Sequence, residues 1–199
     1  KFAEDLTRSI HENNEIENSG NFEGLSKILI SDKELNIVLT ELISKIGENI
    51  QIIYYKKYNS ENSVFISYLH NKYNLSCSKI ASVVEISTDN VPKTIEIIEQ
   101  LKVIAMQVSA MKPMGLDENS LDQKVLDDEK DIILKQIENS PEDKKEQILK
   151  GKLNKFIKEN TLLGQSLITD PKNTVSNYLF EIAKSSNLEL NITSMDLYT

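Results

Sequence analysis

Residues 91–114 read VPKTIEIIEQLKVIAMQVSAMKPM. Val91, Ile95, Ile98, Leu101, Ile104, Ala105, Val108 and Met111 recur at the spacing of one helix face. Ile97 and Val103 lie off that stripe, so the helix needs burial on more than one side. Asp89 and Asn90 can cap its start. Pro92 is tolerated in the first turn, where no intrahelical N–H bond is lost, and Pro113 ends it. A helix this apolar calls for a sheet on one side and other helices nearby. The expected fold is therefore α+β. Two lobes with small antiparallel sheets pack with helices about this element, and an antiparallel helical hairpin is inserted between parts of one lobe.

Upstream, Phe2, Ala3, Leu6 and Ile10 share one face of a first helix, and the polar stretch 13–21 reads as loop. A short helical piece is expected over 22–28. Ser31 and Glu34 form an S-x-x-E pattern, read as a capping box opening a helix with Leu35, Val38, Leu39, Leu42, Ile43 and Ile46. Gly47 supplies its stop. Three strands are expected at 49–58, 64–70 and 78–86, the last two as an antiparallel hairpin.

Downstream, Ser120 with Gln123 reads as a second capping box, before a helix bearing Leu121, Val125, Leu126, Ile132, Ile133 and Ile137. Ser140-Pro141-Glu142-Asp143 restarts a helix, with Ser as cap and Pro first, carrying Ile148, Leu149, Leu153, Phe156 and Ile157. Two amphipathic helices joined this closely make an αα-hairpin. After Asp170-Pro171 comes a helix over 174–184, and 188–198 reads as a strand returning to the sheet of 64–86.

With 199 residues, 39% of them hydrophobic and 27% charged, the chain is long enough for one large domain or two small ones with a real core. The formal charge of −8 argues against direct binding to nucleic acid, which clustered Lys and Arg would drive. Cys77 is the one cysteine, so no intrachain disulfide can form and a reducing, cytoplasmic setting is expected. No apolar run approaches the ~20 residues of a membrane span. The chain opens at Lys1, directly in a helical pattern, and is read as a fragment of something longer.

Catalytic chemistry finds little to work with. His11 and His70 are isolated, and with one cysteine they cannot form a zinc site of usual ligand spacing. Cys77 has no basic neighbour closer than Lys79 to lower its thiol pKa. The six glycines form no phosphate-binding motif. The acids at 127–129 lie on the polar side of a helix, and the lysines of 144–158 are interleaved with acids and lack stacking aromatics. The expectation is a non-enzyme with no cofactor and no metal, acting through its surface.

Several strings resemble elongation factor Ts, the guanine-nucleotide exchange factor family of the GTPase elongation factor Tu. They are KIGENI at 45–50, SYLH at 67–70, SAMKP at 109–113 and GKLNKF at 151–156. LLGQ at 162–165 follows, then Asp170-Pro171 and Thr174-Val175. Their order and spacing agree with the family along nearly the whole chain. The resemblance implies an amino-terminal core subdomain (1–62), a carboxy-terminal subdomain with a three-stranded antiparallel sheet (63–115 and 165–199), and an inserted dimerisation hairpin (116–164). It also implies that Ile46 and Gly47 touch the nucleotide-binding domain of elongation factor Tu. His70 would approach the same domain near its magnesium and phosphate region. A homodimer through 116–164 is a further implied partner.

The sequence departs from the family in places. A Thr-Asp-Phe-Val element expected before Phe2-Ala3-Glu4 is absent, as is an amino-terminal helical module. Exchange by this chain is therefore expected to be slow, and the strand at 49–58 is expected to lack its sheet partners. Ser166 and Ser176 stand where Pro and Gly are usual. The competing reading is a structural helical-hairpin module that oligomerises without exchange activity.

Overall fold

Thr94, not Asp89 or Asn90, opens the central helix. Its side chain accepts from the backbone N–H of Ile97 at 3.4 Å, and α4 runs Ile95–Met111. The residue before a proline avoids helical geometry, which keeps Val91 out of the helix. Asp89 instead accepts from the backbone N–H of Glu189 at 2.9 Å. Lys112 closes the helix in the left-handed region, its N–H reaching the Val108 carbonyl at 3.0 Å. This is a computed structural model, and it describes residues 1–25, 27–92 and 94–199. Ser26, within the helix expected over 22–28, and Lys93, within the expected central helix, lie outside the described residues.

The chain divides into two units, Lys1–Glu61 with Tyr73–Cys77, and Asn62–Lys72 with Ser78–Thr199. In the second unit α4 lies on a three-stranded antiparallel sheet of β5 (Ser63–Lys72), β6 (Ser78–Thr88) and β7 (Leu190–Tyr198), in the order β5-β6-β7. Strand alternation turns Ile66, Ser82, Val84 and Ile86 inward against Leu101, Ile104, Ala105 and Val108. Ser82 Oγ donates to the Ala105 carbonyl at 2.6 Å, and Ser109 Oγ donates to Ser82 Oγ at 2.9 Å. The helix thus approaches the sheet at small residues without stranding a polar group. Helix α7 (Val175–Ser186), capped by Thr174, adds Val175, Leu179 and Ile182 to the same core. The Tyr178 hydroxyl reaches the Gln100 carbonyl at 3.2 Å, and burial pushes its phenol up from the ordinary value.

Between α4 and α7 the chain makes a 3₁₀ turn (Glu118–Ser120) and two helices, α5 (Gln123–Gln136) and α6 (Glu142–Asn160), which pack on each other. Ser120 does not cap a helix with Gln123. Its hydroxyl closes the 3₁₀ turn with Asp117, and Asp122 caps α5 by accepting from Lys124 N–H at 2.9 Å. Pro141, expected as the first helical residue, sits one place outside α6, which has no side-chain cap. Where the excursion leaves and returns, short backbone bonds tie its ends. Met114 N–H bonds the Asn160 carbonyl, Leu162 N–H that of Gly115 and Leu163 N–H that of Leu116, at 2.8, 2.9 and 3.0 Å.

The first unit has its own core of Leu6, Ile10, Leu25, Ile28, Ile30, Leu35 and Tyr55. Helix α1 is Phe2–Glu12, with Leu6 and Ile10 buried as its spacing requires, and α2 is Phe22–Leu25. The expected capping box at Ser31 is not formed. Ser31 and Asp32 both have positive φ (50° and 68°) and make the two-residue turn of a hairpin between β2 (Leu29–Ile30) and β3 (Lys33–Glu34). Such turns need positive φ at both central residues, and Asp tolerates it. Helix α3 then starts at Leu35 with no side-chain cap and ends at Ile46.

The strand expected over 49–58 shrinks to β4, Tyr55–Lys56, paired antiparallel with β1, Ser19–Gly20, in the stretch read as loop. Ile and Tyr content favours extended backbone, but a strand exists only where a partner supplies the ladder. Lys57 adds to that junction, its ammonium donating to the carbonyls of Asn13 and Ile16 at 2.6 and 3.0 Å.

Candidate partner-binding residues

Ile46 and Gly47 stand at the carboxy-terminal end of α3. The helix buries Leu35 and Leu39 and leaves Ile46 about half exposed (52%). Gly47 terminates it at φ 79°, ψ 11°, donating its N–H to the Ile43 carbonyl at 2.8 Å. That left-handed geometry is open to glycine at little cost, which is why a glycine follows the last apolar residue. A Cβ built on Gly47 would meet nothing within 4 Å, so this helix end is open as well as tightly turned. The pair thus offers an uncovered branched side chain beside bare backbone, suited to close approach by another surface.

His70 lies in the second unit, near the end of β5, opposite Ile80 on β6. It is exposed, and its Nδ1 is 3.4 Å from the hydroxyl of Tyr68, two residues earlier on the same face of the strand. In the sequence, only the i, i+2 spacing within Ser67-Tyr68-Leu69-His70 signals that Tyr68 neighbours His70. Ile46 and Gly47 belong to the first unit and His70 to the second.

The other candidates take structural places. His11 is exposed in the last turn of α1. Cys77 is half-buried in the turn between β5 and β6, where the Asn74 side-chain oxygen accepts from the N–H groups of Ser76 and Cys77 at 2.8 and 2.7 Å. Among the described residues no group of three His, Cys, Asp or Glu could hold a metal ion. Among the described residues no helix is long and apolar enough to cross a membrane. A cleft of about 800 Å³ beside α6 is lined by Met111, Gly151, Asn154, Lys158, Gln165 and Thr174, among others. Its charged lining residues are Lys155, Lys158 and Glu159.

The family model described as Elongation factor TS matches residues 1–198. The elongation factor Ts of Alkalilimnicola ehrlichii is 34% identical over 160 residues, which is 79% of this chain and 50% of that protein. That of Clostridium acetobutylicum is 32% identical over 161 residues, 80% of this chain and 50% of that protein. That of Nitratiruptor sp. is 37% identical over 147 residues, 72% of this chain and 47% of that protein. The chain spans about half the length of the curated relatives it matches. With an α+β architecture, and with a match from the first residue to within one of the last, the chain belongs to the elongation factor Ts family.

Proposed function

We propose that this chain binds elongation factor Tu in its GDP form and weakens its hold on the nucleotide, in a cytoplasm of bacterial type. The observation that carries the reading is the exposed Ile46 beside the open, left-handed Gly47, in a chain whose family membership covers both residues. Ile46 and Gly47 would engage the nucleotide-binding domain, and His70 the region near its magnesium and phosphates. The chemistry is that of linked binding and needs no covalent step, cofactor or metal of its own. If factor and nucleotide favour exclusive conformations of the GTPase, each weakens the other by the same factor. Every ~1.4 kcal/mol of that coupling is tenfold in affinity.

The test is a titration of elongation factor Tu loaded with a fluorescent GDP. Adding the chain lowers GDP affinity, and GDP lowers the affinity of the chain by an equal factor. Ile46→Ala and His70→Ala each weaken the complex by about 1–2 kcal/mol, above the near-neutral majority of interface residues and short of a dominant hot spot. Failure of the unmodified chain to bind the GTPase at all would overturn the reading.

A second reading has its own support in α5 and α6. Ile132 and Leu134 are exposed (48% and 41%), and Val125, Leu126, Ile148 and Leu149 are only half-buried. Two helices alone cannot cover this apolar surface. We infer that residues 116–164 form a dimerisation hairpin, as the family resemblance implies. Sedimentation checks it: the dimer dissociates in Ile132→Glu while binding to the GTPase persists.

A further inference from the structure

We propose that Tyr68 is a positioning residue for His70: it holds the imidazole as the Nε2–H tautomer, with that N–H presented outward to an acceptor oxygen on the partner. The inference rests on the reading of His70 as a contact to the GTPase and adds what chemistry His70 uses there.

Strand alternation puts Val64, Ile66, Tyr68 and His70 on one face of β5. Ile66 is buried, and Val64 and Tyr68 pack against the core cluster of the second unit. His70, further along the same face, is exposed. The tyrosine ring is therefore anchored by its neighbours, and its hydroxyl lies within reach of the histidine ring. The two rings are tilted by 33°, with centroids 6.1 Å apart, and the hydroxyl lies 3.4 Å from Nδ1.

A tyrosine hydroxyl can donate or accept, and a neutral imidazole offers one nitrogen of each kind. The phenolic oxygen shares its lone pair with its ring, which makes it the better donor. The bare imidazole nitrogen is a strong acceptor. Donation from Tyr68 to Nδ1 is thus the favoured pairing, and it leaves the proton on Nε2. The hydrogen bond made at one ring nitrogen sets which role the other plays. An Nε2–H fixed in this way recognises a backbone carbonyl or a carboxylate. Fixing it before binding removes part of the cost of ordering an exposed side chain at an interface.

The experiment has two arms. On the free, full chain labelled with ¹⁵N-histidine, long-range ¹H–¹⁵N spectra at a pH where His70 is neutral show Nδ1 unprotonated and Nε2 protonated. In Tyr68→Phe the two signals move toward averaged values. On elongation factor Tu·GDP, Tyr68→Phe weakens binding about three- to tenfold, the range of one hydrogen bond. On a His70→Ala background the same change has no further effect. A mixed tautomer in the unmodified chain, or equal losses from Tyr68→Phe with and without His70, overturns the proposal. Full-strength binding by His70→Ala strikes instead the reading of His70 as a contact, and the spectra of the free chain keep the two failures apart.

Discussion

Gly47 and Gly151 are both helix-associated glycines, yet a methyl group added to each has opposite consequences. Gly47 sits at φ 79°, so Gly47→Ala forces an L-residue into the left-handed region, at about 1 kcal/mol. Thermal unfolding is expected a few degrees lower, with nothing lost to steric clash. Gly151 lies inside α6 with nothing within 4 Å of a built Cβ. Gly151→Ala is expected to stabilise by up to about 1 kcal/mol, because alanine is the better helix former and the site has room. A drop in melting temperature on Gly151→Ala would contradict this. Tyr178 contributes a pH dependence on the alkaline side. Burial raises its folded-state pKa above the ordinary value. Once the pH passes the unfolded value, the unfolded chain releases this proton while the folded one keeps it. Stability is therefore intact below that range and falls as pH rises through it. In Tyr178→Phe the alkaline loss measured by urea titration is shallower.

At the scale of elements, the buried amides of Gln107 and Gln165 join α4 to the end of α6. Gln107 is fully buried, and its Nε2 donates to Gln165 Oε1 and to the Ser166 carbonyl at 3.1 and 3.0 Å. Its Oε1 accepts from Ile168 N–H at 2.9 Å, and Gln165 Nε2 continues to the Glu159 carbonyl at 3.0 Å. Gln107→Leu keeps the volume and orphans three polar groups. A loss of about 3 kcal/mol or more is expected, with amide exchange accelerated first at Ile168. If exchange there is unchanged, the network does not hold that loop. None of this was legible beforehand, since Gln107 falls between Met106 and Val108 in a run that reads as apolar. The hairpin turn at Ser31-Asp32 was missed for a related reason. S-x-x-E satisfies a local rule for helix starts, but the pairing of Leu29–Ile30 with Lys33–Glu34 consumed the residues first.

In the whole molecule, each unit has its own core and the second unit's is the larger, while Leu121, Ile133, Ile137 and Ile157 are buried apart from both. Native-state hydrogen exchange should be slowest at Ile104, Val108 and Val84, which are 0–1% exposed and lie in the helix and central strand of that core. It should be fast over 49–54, which carries no strand although its composition favours one. Uniform protection across both would contradict the division. The repeat of apolar residues from Leu101 to Val108 was enough to place a buried helix against a sheet, although Val91, Ile95 and Met111, expected on the same face, are exposed. A glycine after Ile46 was enough to end α3, and the returning strand at the carboxy terminus was equally plain. These features are periodic or local, so each residue carries its own evidence. The partner of β4, the start of α4 behind Pro92, the turn at Ser31 and the Tyr68 hydroxyl beside His70 are of another kind. Each depends on which distant or facing group arrives to satisfy a backbone or side-chain polar atom, and that is settled only when the chain has closed on itself.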